Sequence, residues 1–303
     1  MQFVLRGIRM EMSSVPLDVY QSGLTGSDLH FMLRDGRVLG LDYPVRPRVR
    51  NFGATRGGAR LHRILASGTL RYRQYLRFWH SLTPFFRAIP LGPTSDGKTA
   101  FWRNGWFPIL DPISLCALLM HRRPRRYIEI GSGNSTMFAR KAIDAFDLGT
   151  KVISIDPEPR AEVDELCDQV LRIPAEDLPT SFTEAVGADD MLFVDNSHRA
   201  FPNSDVTVFF LEVLPGLPPG TLYGLHDIFL PNDYPAEWLN RHYSEQYMLG
   251  AYLLGGGDRD SILFPCNFVS HEGRDWPELV ALIDATPLRA MPPWGGCFWA
   301  IKG

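Results

Sequence analysis

From Tyr127 onward the chain repeats one rhythm: a short apolar run, a turn, then a stretch whose apolar positions fall three and four residues apart. The runs RYIEI, KVISID, QVLRI, DMLFVD, TLYGLHD, SILFP and CFWAI read as strands. NSTMFARKAIDAF, PRAEVDELC, DLPTSFTEAV, SDVTVFFLEVL and the span from Glu237 to Leu254 read as helices. Strands without polar alternation, separated by helices, predict a parallel sheet covered on both faces. Such sheets hold their ligands at the carboxyl ends of the strands.

Before residue 100 the pattern is irregular. FVLRGIRMEM and LHFMLRDGRVLGLDY read as short strands, with a hairpin turn at Asp35-Gly36. From Leu61 to Ala88 the apolar spacing is helical. The expected organisation is therefore an α+β extension over residues 1–99 and an α/β domain over residues 100–303.

Composition narrows the function. Hydrophobic residues make up 45% of the 303-residue chain, enough to bury a sizeable core. A net charge of −3 argues against a dedicated nucleic-acid binder. Ten arginines lie between Arg46 and Arg87, and no acid lies between Tyr43 and Ser95. A solvated face balanced by acids elsewhere explains this better than a surface for anionic partners. Cys116, Cys167, Cys266 and Cys297 are far apart and form no CxxC pair, which argues against a zinc knuckle or a disulfide framework. MQFVLRGIRM lacks the apolar core of a signal peptide, and Asp111 interrupts WFPILDPISLCALLM, the longest apolar run. The expected setting is cytoplasmic, with no transmembrane segment. The oligomeric state is not legible.

The chemistry gathers at the strand ends. YIEIGSGNST places Gly131, Ser132, Gly133, Asn134 and Ser135 between the first strand and the next helix. Glycines there allow a tight turn and close approach of a ligand, which the free N–H groups of the helix start favour. Glu129 lies within the strand, and Asp156 closes the second strand, where a carboxylate meets ribose hydroxyls. The turn lacks the last glycine of GxGxxG and the Lys-Ser/Thr of a phosphate loop. Trp106, beside Gly105 just upstream of the first strand, is placed either to fold over a cofactor or simply to pack on the sheet.

E-x-G-x-G-x-S/T after the first strand, with an acid ending the second, resembles the class I S-adenosylmethionine-dependent methyltransferases. The resemblance covers residues 100–303. It implies a Rossmann-like seven-stranded sheet whose last strand is antiparallel, with S-adenosylmethionine as cofactor. It places the methionine part of the cofactor at the glycine turn, the ribose at Asp156, and the adenine near Glu176 or Asp177. A dinucleotide dehydrogenase is the competing reading of the turn.

Two further strand ends carry Asp195-Asn196-Ser197-His198 and His226-Asp227. Imidazoles tuned near neutrality move protons, and imidazoles with carboxylates hold divalent cations. D-x-S-H followed by a polar pair is similar to the metal-dependent O-methyltransferases, including those acting on macrolide sugars. By that resemblance Asp195 and Asp227 are metal ligands and His198 is the general base. His226 stands where that subgroup has an acid. As a metal ligand it argues against magnesium, since an imidazole suits manganese, iron or zinc better, or it is a second acid–base group with no metal. The reading is O-methylation of a small-molecule or saccharide hydroxyl. The alternatives are a non-haem iron oxygenase built on the same two histidines and a carboxylate, and a non-catalytic binding module. Asp233 and Tyr234, in the loop IFLPNDYP, are candidates to face the acceptor, and the glycines of GGGDRD suggest a flexible connection.

Overall fold

The computed structural model describes residues 43–303 apart from 160, 161 and 290, together with residues 27 and 32. The chain divides into two compact units, Met1–Pro47 and Arg48–Gly303. The two expected N-terminal strands and their Asp35-Gly36 turn lie outside the described residues, except for Met32, which is helical, and Tyr43.

The second unit begins with helices α1 (Arg56–Ala66) and α2 (Thr69–His80), followed by a short helix at Thr83–Arg87. On α2, Tyr72, Leu76 and Trp79 share one buried stripe, the i, i+4, i+7 pattern of an amphipathic helix. Trp79 packs on Phe264 with ring centroids 4.3 Å apart. The opposite face carries Arg73 and Arg77, which meet Glu278 at 3.0 and 2.8 Å. Exposed pairs of this kind contribute about 0–1 kcal/mol. Here an acid from a later helix does balance part of the arginine-rich face.

Helix α3 (Leu110–Arg122) is buried almost all round and ends at Arg123, which is left-handed. Seven strands follow: β1 (Arg126–Ile130), β2 (Lys151–Ile155), β3 (Gln169–Leu171), β4 (Met191–Val194), β5 (Leu222–Leu225), β6 (Ser261–Pro265) and β7 (Phe298–Ile301). Their order is 3-2-1-4-5-7-6. Strands β1 to β5 pair in parallel, and β7 runs antiparallel between β5 and β6. The seven strands are those expected from the apolar runs. β4 sits between two parallel neighbours, so all four of its residues are buried. Gly224 in β5 pairs with Trp299 in β7. A Cβ at Gly224 would lie 2.2 Å from the Trp299 ring, so the indole fills the space a side chain would need.

Helix α4 (Asn134–Ala145) follows β1, and α5 (Glu245–Gly255), α6 (Cys266–Glu272) and α7 (Pro277–Asp284) complete the fold. Two expected helices are shorter than the pattern implied. PRAEVDELC yields only a 3-10 turn at Asp164–Leu166, because of its described residues Val163 alone is fully buried and no apolar stripe forms. DLPTSFTEAV yields only Ser181–Ala185. Pro179, with no N–H to give a helix, confines it to the end of the segment. The stretch 205–216 is helical as expected, with a π-helical middle at Phe209–Val213. Asp260, at the end of GGGDRD, is a buried anchor. It accepts bonds from the Tyr223 and Tyr252 hydroxyls at 2.8 and 2.9 Å and from Lys302 Nζ at 3.1 Å. Among the described residues, no helix is long and apolar enough to cross a membrane.

Candidate active site

The glycine turn is fixed by the strands around it. Gly131 N–H donates to Ile155 O at 3.0 Å, and Asp195 N–H donates to Ile130 O at 2.8 Å, so the turn lies against the ends of both β2 and β4. Gly131 has φ +84°, and a Cβ there would lie 1.8 Å from the Asp195 carbonyl oxygen. Only glycine satisfies both conditions. Ser132 N–H donates to Asp156 Oδ2 at 2.7 Å, tying the second-strand acid to the turn.

Glu129 lies fully buried in β1. Its oxygens accept from Tyr127 Oη at 2.9 Å and from Thr136 Oγ1 at 2.5 Å, and Thr136 Oγ1 in turn accepts from Gly133 N–H at 3.0 Å. Burial pushes the Glu129 carboxyl up to about 7, against the lowering effect of hydrogen bonds from Ser135, Thr136 and Tyr127. The folded chain therefore keeps a proton that the unfolded chain has lost, between about pH 4.5 and 7. The contribution of Glu129 to stability falls as pH rises through that window and is flat above it. Glu129→Gln should remove this slope. Thermal melts of the ligand-free protein from pH 4.5 to 8 should show the wild type losing a few degrees relative to the variant. Parallel curves would contradict the assignment.

A cleft of about 460 Å³ is lined by Gly131 to Ser135, by Asp156 and Glu176, by Trp106, and by Asp195 to His198. Its size suits a small-molecule ligand. Of the two acids after β3, Glu176 lines it and Asp177 does not. Trp106 is exposed on a turn shaped by Asn104. The Asn104 Oδ1 accepts from the Trp106 and Phe107 amides at 3.0 and 2.7 Å. Phe107, also at the cleft, packs on His226 with ring centroids 5.3 Å apart.

At the ends of β4 and β5 the expected polar groups converge. His198 Nε2 lies 3.2 Å from Asp195 Oδ1 and 3.5 Å from Asp227 Oδ2. His226 Nδ1 lies 3.2 Å from the same Asp195 oxygen and 3.6 Å from Asp227 Oδ1. His198 and Asp227 both have left-handed backbones, with φ of 59° and 54°. For non-glycine residues that conformation costs energy and is concentrated at functional sites. About a third of the Asp195 side chain is open, while both imidazoles are buried. Desolvation pushes the Asp195 carboxyl up, but His226 and His198 outweigh it and hold it well below the usual carboxylate range. Desolvation lowers both imidazoles, and the surrounding carboxylates more than reverse it.

Two acids were not singled out as site residues from the sequence. Glu245 Oε2, from α5, lies 2.8 Å from His198 Nδ1, and Asp111 Oδ2, from α3, lies 3.2 Å from His226 Nε2. Asp111 also accepts from the Gly296 and Cys297 amides at 2.8 and 2.7 Å. The signal for Asp111 was an acid interrupting an apolar run; Glu245, the first residue of its helix, gave none. Asp233 and Tyr234 are engaged by other groups of the fold. Asp233 accepts from the Arg50 amide at 3.1 Å, and the buried Tyr234 hydroxyl accepts from Gln246 N–H at 3.2 Å.

Strand order, the glycine turn and the second-strand acid together define a class I, S-adenosylmethionine-dependent methyltransferase fold. Residues 128–228, from β1 to just past β5, match the model of a family described as a methyltransferase domain. Among solved structures, the chain is similar to the MycE methyltransferase of the mycinamycin biosynthetic pathway, in complex with Mg, SAH and mycinamycin VI. The identity is 17%, with 64% of this chain and 49% of that one covered and a TM-score of 0.38. It thus spans about half the length of that protein. It is also similar to the SAH-bound methyltransferase PaMTH1 of Podospora anserina, at 15% identity, 88% and 100% coverage and a TM-score of 0.40. A third is an O-methyltransferase from Bacillus cereus in complex with SAH, at 16% identity, 76% and 91% coverage and a TM-score of 0.35. No curated protein sequence matches the chain.

Proposed function

We propose that this chain transfers a methyl group from S-adenosylmethionine to a hydroxyl of a small molecule or saccharide. The observation that carries the reading is the cleft itself, which is lined both by the glycine turn with Asp156 and by Asp195 to His198. One ligand can therefore lie with its ribose at Asp156 and its reactive end near the polar cluster. Bound S-adenosylmethionine supplies an electrophilic methyl group on a sulfonium.

The chain's own residues do the rest. The turn Gly131 to Ser135 lets the methionine part approach the backbone closely, and the start of α4 at Asn134 and Ser135 faces it. Asp156, already held by Ser132 N–H, receives the ribose hydroxyls, and Glu176 lies at the adenine end. Trp106 covers the cofactor and limits water. The cluster orients the acceptor hydroxyl in line with the methyl and takes its proton, since an alcohol is a weak nucleophile until deprotonated. His198 is the base of this reading, with Glu245 on its Nδ1 to orient it and Asp195 and Asp227 facing its Nε2. The proton it takes is shared with the carboxylates and the second imidazole around it.

The donor set also bears on a metal. Magnesium takes oxygen ligands and is poorly served by imidazole, whereas manganese, iron and zinc accept nitrogen and oxygen together. Asp195, His198 and His226 offer ligand atoms within 4.8 Å of one another, and the last two offer nitrogen. Asp195, His226 and Asp227 are the residues the sequence offered for a cation. A divalent ion that tolerates imidazole, if held there, would lower the pKa of the acceptor hydroxyl.

Calorimetric titration with S-adenosylhomocysteine tests the reading. One site per chain is expected, undisturbed by excess NAD. A folded sample that binds NAD and not adenosylhomocysteine would overturn it. Bound iron without adenosylhomocysteine affinity would favour the oxygenase.

A further inference from the structure

We propose that Arg199 and Arg241, held on the rings of Tyr243 and Trp238 beside His198, form a binding site for an oxyanion. The acceptor then carries an acidic group, a carboxylate or a phosphate, in addition to the hydroxyl it offers. This names the class of acceptor and rests on the methyl-transfer reading.

The site follows from how two segments are joined. Residues 197–200, past the end of β4, are stapled to residues 241–245, at the start of α5. The Ser244 and Glu245 amides donate to the His198 carbonyl at 2.8 and 3.2 Å, and the Ala200 amide donates to Ser244 Oγ at 2.8 Å. Arg199 Nε donates to the Arg241 carbonyl at 2.9 Å. Between the segments Tyr243 lays its ring on the His198 imidazole, with centroids 4.7 Å apart. The guanidinium of Arg199 lies 5.0 Å from the Tyr243 centroid and that of Arg241 lies 5.7 Å from it. The Arg199 charge is therefore no farther from the His198 ring than the sum of those two distances, about 10 Å. A ring-sized acceptor with one group at each end spans that gap.

The two charges lack counter-ions. Arg199 gives two bonds to backbone carbonyls, of Arg241 and Ser197, and Arg241 sits 4.1 Å over the Trp238 ring. Among the described residues neither guanidinium meets a carboxylate, whereas Arg73, Arg77, Arg126 and Arg140 each do. Both are half-buried. A partly desolvated cation without a counter-ion is costly. An aromatic ring holds a guanidinium in place without neutralising it, and the planar fork still matches an oxyanion with two bonds at once.

The acids nearby are already engaged. His198 meets Asp195 and Glu245, and Asp205 accepts from the Ser197 amide and hydroxyl at 2.8 and 2.6 Å. Asp195 and Asp227 would repel an acid on the acceptor, while the two arginines attract it. The charged end is thus drawn to the Tyr243 side and the neutral hydroxyl is left for the cluster, which fixes orientation as well as selectivity.

Calorimetry with saturating adenosylhomocysteine present compares para-hydroxybenzoate with para-hydroxybenzyl alcohol, which share a ring and a phenolic hydroxyl and differ in charge. The acid should bind at least about tenfold more tightly. Arg241→Gln should weaken the acid about tenfold and leave the alcohol unchanged. Arg241 donates no hydrogen bond from its side chain to the described residues, so the fold should survive the change. Arg199→Lys, which keeps the charge and loses the fork, should weaken the acid by a smaller factor. Displacement of the acid by inorganic phosphate at lower concentration than by acetate assigns the acidic group as a phosphate, and the reverse order assigns it as a carboxylate. Either order supports the site. Equal affinity for acid and alcohol, an acid affinity unmoved by both variants, or no binding of the acid at millimolar concentration would overturn it. If adenosylhomocysteine itself does not bind, the methyl-transfer reading fails, and the same comparison on the protein alone still decides the site.

Discussion

Gly131→Ala should abolish cofactor binding and lower the unfolding free energy by about 3 kcal/mol or more. Two costs add at this position. A left-handed backbone disfavours any side chain by roughly 1–2 kcal/mol. The new methyl would also lie 1.8 Å from the Asp195 carbonyl oxygen, which is backbone and cannot rotate away. Either the turn leaves β2 or the end of β4 moves, and both line the cleft. Urea unfolding and adenosylhomocysteine titration of the variant check this together. A variant with wild-type midpoint and affinity would contradict the described turn.

Asp195→Asn should cut turnover about 10²- to 10⁴-fold while leaving adenosylhomocysteine affinity within a few-fold. One oxygen of Asp195 faces both imidazoles at 3.2 Å, so it is the link between the β4 and β5 ends. An amide of the same shape keeps the packing but loses the charge that both rings require. It also turns an N–H₂ or a neutral oxygen toward two ring nitrogens. Because the carboxylate is held well below its usual range by those rings, the variant should also melt at a lower temperature. Single-turnover kinetics on an identified acceptor reads the first effect. A loss smaller than tenfold would remove Asp195 from the proton and acceptor chemistry.

The sheet was legible because its strands are buried on both faces, so apolar runs alone mark them, as in MLFV of β4. The cleft was legible for a related reason. A glycine that must approach the backbone of Asp195 and an acid that must cap the second strand sit at fixed points of the chain. Helices were less legible where little apolar surface backs them, as at PRAEVDELC, and where proline shortens them, as in DLPTSFTEAV. Asp111 and Glu245 stayed hidden for another reason. Each acts through a histidine more than forty positions away in sequence, and spacing along the chain carries no record of that contact. Asp233 and Tyr234 show the converse, since a polar loop after a functional strand end can be used for packing.

The central claim is that one cleft joins the cofactor turn to the polar cluster, and a crystal structure with adenosylhomocysteine tests it most directly. The account predicts the homocysteine against Gly131 to Ser135, the ribose on Asp156, and the sulfur facing the Asp195 to His198 end. Density elsewhere on the molecule, or a ligand in this cleft with its sulfur turned away from Asp195, would contradict it.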